Sequence, residues 1–535
     1  MPAAPAARPN LLLITSDQQH WTAMGVRNPA IKTPNLDRLA AMGTDFTRAY
    51  CPNPTCTPTR ATLLTGQYPS THGAYTLGTK LPDAAPTLGG YLSEAGYRST
   101  LVGKAHFQPL LSTDECSSVE CYPTLRDLDF WRTFNDTHTP WYGFDRVELA
   151  RNHVDEGHVG QHYALWMEEK GLANWRDYFQ PRNDGIKDTP TDGALAPPVA
   201  DGPGYGWRGD MFWKLPQELH YTAWTGERTL AAIDEAHAAG NPFFVWSSYH
   251  DPHPPYAVPE PWAGMYDPAD MKVGSRVDGE MDDMPPPHRA TTGERAAGEN
   301  VFGPLNVDGK GNHGYHAHTG VNERELQEAQ AIYYGMISFM DHWIGQTLDR
   351  LETLGILDHT LVVFTSDHGH FLGQHGLLAK GPFHYEDVIR VPFTAAWPGH
   401  LPAGKSSDAI QSLVDIAPTF AAAAGLGVPR TMQGLDQTAA WSGLADPPRD
   451  HAIVENHHQD SDAVHLRTLV TGRYKITVYR GRDWGELFDL QDDPGELKNR
   501  YDDPDYAGVR SELMQHLVQA DLAREPTVQR RVAGA

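Results

Sequence analysis

Two segments far apart in the chain end alike: LLLITSDQQH, whose apolar run closes at Asp17, and LVVFTSDHGH, whose run closes at Asp367. Each is apolar without interruption and then abruptly polar, the pattern of a strand covered on both faces inside a parallel sheet. Two more segments have this shape. STLVGKAHF ends in Lys104 and His106, and PFFVWSSYHDPH ends in His250, Asp251 and His253. Helical patterns lie between them. Thr33-Pro34 opens one that Gly43 closes, with Leu36, Leu39 and Ala40 apolar. Residues 225–239 form a second, closed by Gly240. A third, about 325–354, carries Ile332, Met336, Met340, Trp343, Ile344 and Leu351 on one side and stops at Gly355. Thr suits an N-cap, Pro the first turn and Gly the C-terminal cap. The alternation predicts an α/β fold, a large and mostly parallel sheet with helices on both faces.

In open α/β sheets ligands bind beyond the carboxyl ends of the strands. All four strands deliver acids, a lysine or histidines there. Loops are polar everywhere, which explains one such ending but not four with metal-ligating or cationic character. The formal net charge is −25. Nucleic acid and anionic membranes are repelled by such a chain, so neither is an expected partner. An anionic substrate needs local cations or a metal. The first residues, MPAAPAARPNLLLITSD, hold too short an apolar run for a signal peptide or a membrane span, so a cytoplasmic protein is expected. The four cysteines, Cys51, Cys56, Cys116 and Cys121, are too few for a disulfide framework at 535 residues. Cys116 and Cys121 read as two separate thiols.

The catalytic α/β unit is expected over 1–430, with insertions at about 108–220 and 252–320. The first insertion carries Trp131, Trp141, Trp175, Trp207 and Trp213, which suit an aryl or sugar ring and suit a core equally. Residues 431–535 hold HAIVENHH, VHLRTLVT, YKITVY and GELFDL before a final helix, predicting a small antiparallel sheet with a helix packed on it. The insertions and the C-terminal tail suit a dimer or tetramer.

In CTPTRATLLTG, Thr57 reads as N-cap, Pro58 as the first helical residue and Gly66 as the end, which puts Cys56 just outside the helix and Arg60 in its first turn. A helix N-terminus with a guanidinium is an anion site, and a thiol there is expected to be acidified. Three readings of Cys56 compete: a thiolate nucleophile, an inert buried thiol, or a modified residue.

CTPTR followed by ATLLTG resembles the Cys-x-Pro-x-Arg signature of the type I sulfatases, in the alkaline phosphatase superfamily. NLLLITSDQ, APTLGGYLSEAGYRSTLVGKAHF, SDHGHFLGQHGLLAKG with YEDVIRVPF, and GELFDLQDDPGELKN resemble further segments of that family, in order. The resemblance implies that a formylglycine-generating enzyme oxidises Cys56 to a formylglycine aldehyde, and that Arg60 holds its hydrate. Asp17, Gln18, Asp367 and His368, with residue 56, would bind one divalent metal. The competing reading of Asp17 is a helix cap. The commonest pattern has a second Asp at the place of Gln18 and an Asn at the place of His368. The Gln18/His368 pair is similar instead to the subgroup of phosphonate monoester hydrolases and promiscuous arylsulfatases. Oxygen ligands suit Ca²⁺, the first expectation, and the imidazole admits Mn²⁺, the second.

By the same resemblance, Lys104 and Lys380 would bind sulfate oxygens and His106 would contact the formylglycine hydroxyl. His250 is the candidate general acid, with His253 and His375 as rivals. The implied reaction is attack of one hydroxyl of the aldehyde hydrate on sulfur, loss of the alcohol, and collapse through the second hydroxyl to release sulfate. The expected substrate is a small aryl or sugar sulfate. The alternatives are a phosphonate monoester or phosphodiester hydrolase with the same site, and an inactive relative that binds anions or glycans.

Overall fold

The computed structural model describes residues 8–151, 159–179, 213, 215–291, 316–317, 322–457 and 464–525. An eight-stranded sheet forms the frame. Its order is Lys405–Ser407, Thr44–Phe46, Phe393–Ala396, Thr360–Ser366, Asn10–Ser16, Phe243–Ser248, Arg98–Gly103 and Arg146–Leu149. Only Phe393–Ala396 runs antiparallel to its neighbours. The four strands read from the sequence stand side by side in the middle.

Period-two alternation of side chains explains why these strands are apolar throughout. Leu11, Leu13, Leu361 and Val363 enter the core on one face, beside Ala61, Leu63 and Leu64 of the Cys56–Thr65 helix. Leu12, Ile14, Val362 and Phe364 enter the other core, beside the helices Pro34–Met42, Tyr221–Ala238 and Glu323–Thr353. With apolar surface on both faces, no solvent-facing row remains. The Glu323–Thr353 helix starts where Asn322 Oδ1 accepts from the Glu325 N–H and the Glu325 carboxylate accepts from the Asn322 N–H.

The second sheet is antiparallel, Ala452–His457, His465–Val470, Tyr474–Tyr479 and Gly485–Asp489, with the helix Ala507–Ala523 laid on it. Leu513, Leu517 and Ala520 cover Ile453, Leu469, Ile476 and Leu487. Its other face, Val454, Leu466, Val470 and Phe488, joins the main core.

Two expectations change. Trp131 and Trp141 are core residues of the main cluster, and Trp175 and Trp213 belong to a separate buried cluster with Tyr163, Tyr221 and Trp224. These four rings pack; they form no open aromatic platform. Trp207 lies outside the described residues. The Cys56–Thr65 helix begins at Cys56, with Thr55 in extended conformation before it, so Cys56 is inside the first turn and Pro58 is third. Proline is tolerated there because the first N–H groups of a helix have no intrahelical acceptor. Gly66 closes the helix in the left-handed region.

Among the described residues no helix is long and apolar enough to cross a membrane. All four cysteines are free, and the Cys121 thiol donates to the Pro109 carbonyl.

Candidate active site

Register sets the site. Ser16 is paired with Ser366, so Asp17 and Asp367 leave adjacent strands side by side, and Ser248 is level with both Thr15 and Gly103. Gly103 has φ +99°, and a Cβ there would fall 1.9 Å from the Ser248 carbonyl oxygen. Only glycine permits this approach, which turns Lys104 beneath the strand tips.

Arg60 holds the cluster together. Its guanidinium is wholly buried and donates to Asp367 Oδ2 at 2.9 Å, Asp17 Oδ2 at 3.3 Å, Ser248 Oγ at 2.7 Å and the Lys104 carbonyl at 2.9 Å. Lys104 Nζ is ion-paired with Asp17. Burial by itself raises the Asp17 carboxyl, but Lys104, His253, Arg60 and Lys380 together hold it well below the usual carboxylate range. The sequence reading of Asp17 as a helix cap therefore fails: its oxygens face cations.

Cys56 Sγ lies 3.6 Å from Asp17 Oδ1, 3.2 Å from His368 Nε2 and 2.8 Å from Lys380 Nζ. The expected acidification is absent. Burial pushes the thiol up, Asp17 pushes the same way, and Lys380 and Lys104 offset only part of this. A free thiolate nucleophile is thus the reading the surroundings least support.

His368 Nδ1 donates to the Gly369 carbonyl at 3.0 Å, which leaves the Nε2 lone pair pointing at the cluster. Burial lowers its pKa to about 4, so the ring is neutral. The Asp17, Cys56, Asp367 and His368 ligand atoms all lie within 4.8 Å of one another. Gln18 adds an oxygen. Its Oε1 is buried with no hydrogen-bond partner among the described residues. An unmatched carbonyl oxygen, two carboxylates and a neutral imidazole lone pair fit a divalent cation.

Lys380 Nζ donates to Cys56, to His368 Nε2 at 3.2 Å and to His253 Nε2 at 3.1 Å. Burial lowers its pKa, but Cys56, Asp17 and Asp367 raise it further, so it stays an ammonium. His106 adopts φ +56°, and its turn is held by Glu120, whose carboxylate accepts from the N–H groups of His106, Phe107 and Gln108 at 2.9, 2.9 and 3.0 Å. The His106 Nδ1 is enclosed and unmatched. Burial, then Arg151, Lys104 and Arg60, keep that ring neutral.

The three histidines weighed as general acid part company. His253 touches Lys380. His250 spends its Nε2 hydrogen on the Ala150 carbonyl at 2.7 Å, and burial lowers its pKa to about 3. His375 stacks on Tyr385 and lies 3.6 Å from both Glu280 and Asp387.

His375 predicts a pH effect on stability. Burial lowers its pKa, but Asp387 and Glu280 win and raise it to about 9. At 3.6 Å these contacts are ion pairs rather than hydrogen bonds. A group raised in the folded state stabilises fully below its unfolded pKa and loses that contribution as pH rises through the folded one. His375→Gln should therefore remove roughly 1–3 kcal/mol at pH 6 and much less at pH 9.5, read by urea melts at both values. Equal losses at the two pH values would refute the assignment.

Sequence reasoning missed Ser248, Glu120, Arg151 and His370. Ser248 and Glu120 are residue types with no distinguishing pattern, and a lone histidine among 27 carries little signal.

The family model described as Sulfatase matches residues 9–426. The chain belongs to the sulfatase family. It is a hydrolase of the alkaline phosphatase superfamily. A second model, N-sulphoglucosamine sulphohydrolase, C-terminal, matches residues 373–523. The enzyme is 28% identical to an arylsulfatase of Clostridium perfringens, over 97% of this chain and 95% of that one. It is 26% identical to an N-acetylglucosamine-6-O-sulfatase of Bacteroides thetaiotaomicron, over 95% of this chain and 86% of the other. The crystal structure of a phosphonate monoester hydrolase of Agrobacterium radiobacter superposes with a TM-score of 0.74 at 27% identity, covering 97% and 96% of the two chains.

Proposed function

We propose that the enzyme hydrolyses sulfate monoesters of aryl or sugar alcohols, using Cys56 after its oxidation to formylglycine and one divalent cation held by Asp17, Gln18, Asp367, His368 and residue 56. The observation that carries this reading is the place of Cys56. Its side chain reaches Asp17, His368 and Lys380 at once, beside a guanidinium that bridges both aspartates. When present, the cation polarises the sulfuryl oxygens and the hydrated aldehyde offers two hydroxyls on one carbon.

The chain's own groups do the rest. Asp17 and Asp367 carry two negative charges against three positive ones on Arg60, Lys104 and Lys380, so the site is cationic within an anionic protein. Lys104 and Lys380 bind the non-bridging oxygens, and Arg60 fixes residue 56 and both aspartates. His106, neutral with an unmatched Nδ1, is assigned the proton from a hydroxyl on residue 56. Lys380 holds the proton for the departing oxygen, with His253 Nε2 as its hydrogen-bond partner. His250 gives its Nε2 hydrogen to the Ala150 carbonyl, which supports Lys380, the alternative to His250 as proton donor, for the general-acid role. Ca²⁺ remains the preferred cation and Mn²⁺ the next.

A second reading is favoured by the Gln18/His368 pair and by the phosphonate monoester hydrolase fold: the same groups would cleave a singly charged phosphonate ester. The test is peptide mass spectrometry across Cys56 with metal analysis of the same sample, then rates on an aryl sulfate and an aryl phosphonate at equal concentration. The sulfate should turn over faster. A sample fully converted at residue 56 and loaded with cation, yet inert toward both esters, would end the proposal.

A further inference from the structure

An amide is a peculiar choice beside a cation. Its two ends have nearly the same shape, but the carbonyl oxygen attracts a cation and the NH₂ group repels one. A carboxylate at this position could be turned over without consequence. An amide needs something to fix which end faces inward.

We propose that His370 is the positioning residue that does this, by accepting a hydrogen bond from Gln18 Nε2 at Nδ1. The inference rests on the cation site described under the proposed function. Gln18 Nε2 lies 2.8 Å from His370 Nδ1, while Oε1, the other end, has no partner among the described residues. The opposite arrangement would turn the NH₂ group to the side where Oε1 now has no partner and leave its hydrogens unmatched.

The backbone of Gln18 is pinned, so the choice falls on the amide alone. Its φ is +66°, its N–H donates to Asp367 Oδ1 at 3.0 Å, and its carbonyl accepts from the Tyr333 hydroxyl at 2.9 Å. His370 is pinned too. Its Nε2 lies 2.7 Å from the Tyr256 hydroxyl, its ring stacks on Tyr333 with centroids 4.8 Å apart, and its N–H donates to the Asp387 carbonyl at 2.9 Å. Gly369 sits between the two histidines, and a Cβ there would fall 2.2 Å from the Asp387 carbonyl oxygen. That tight turn delivers His368 to the thiol and His370 to the amide. One short segment, DHGH, thus supplies both a ligand and the residue that orients another ligand.

The test is cation affinity, measured by titration calorimetry of the purified full chain with Ca²⁺ and, separately, Mn²⁺. His370→Phe keeps a ring to stack on Tyr333 and removes the acceptor. It should weaken binding by about 10- to 100-fold. In a Gln18→Asp background, where no amide needs orienting, the same change should alter affinity by less than about threefold. Equal weakening in both backgrounds, or none in the Gln18 background, overturns the inference. If the Phe variant does not fold, Tyr256→Phe loosens the ring instead, and its weakening must likewise vanish with Asp at position 18. A wild-type protein that binds neither ion removes the cation reading itself. One that binds normally while His370→Phe changes nothing removes only this inference.

Discussion

Cys56→Ser should lower turnover of an aryl sulfate by about a thousandfold or more while leaving the fold intact. Serine matches the shape of the thiol closely, so the contacts to Lys380, His368 and Asp17 have a similar partner. What it lacks is the second hydroxyl. An ester formed on a single serine oxygen cannot collapse to a carbonyl. The variant should therefore stop after one event, with mass spectrometry showing one sulfuryl group retained on the peptide that contains residue 56. Cys56→Ala should show neither turnover nor adduct. The distinction matters because loss of rate alone fits any role for Cys56, including a structural one. Steady turnover by the serine variant at a rate near that of the parent would rule out the formylglycine reading.

The sheet was legible because a strand buried on both faces has no choice of residue: Leu11 to Ile14 and Leu361 to Phe364 feed two cores at once and must be apolar throughout. Helix ends were legible wherever glycine supplied a left-handed cap, as at Gly66 and Gly355. The start of the Cys56 helix was not. The Thr-Pro pair was read as N-cap and first residue, but proline is accepted anywhere in the first turn, and Thr55 takes the boundary while its hydroxyl bonds to Asn53. Strand tips named Asp17, Asp367 and Lys104 because charge at the end of an apolar run is rare, whereas Arg60 came from the helix start and Lys380 from the resemblance. The tips could not rank His250 against His253. That depends on which ring the chain turns toward Lys380 after the strand, a matter of backbone path rather than residue type. The thiol misled for a related reason. A helix N-terminus acidifies an exposed cysteine, yet here complete burial and the neighbouring Asp17 outweigh it.

Arg60→Ala should be the most damaging single change to both stability and rate. The guanidinium donates to both aspartates, and it also satisfies Ser248 and the Lys104 carbonyl. Its removal leaves the buried Asp367 without its charged donor, at a cost of about 3–5 kcal/mol, read as a lower urea midpoint. Arg60→Lys should recover little, because one ammonium cannot span four acceptors set by a planar fork. The rate should fall by about 10²–10³ as the two aspartates and residue 56 lose the cation that holds them in place. The pH dependence gives the sign. Asp17 is held below its ordinary pKa, so the charge cluster stabilises the fold above the unfolded carboxylate range and loses that contribution as pH falls through the folded value. The stability gap between parent and variant should therefore be widest at neutral pH and narrow in acid, as the orphaned carboxylates take up protons. A divalent cation, supplying positive charge to the same two carboxylates, should also narrow it. A variant as stable as its parent at pH 7 would mean that the arginine is no electrostatic keystone, and the charge balance assigned to the site would be wrong.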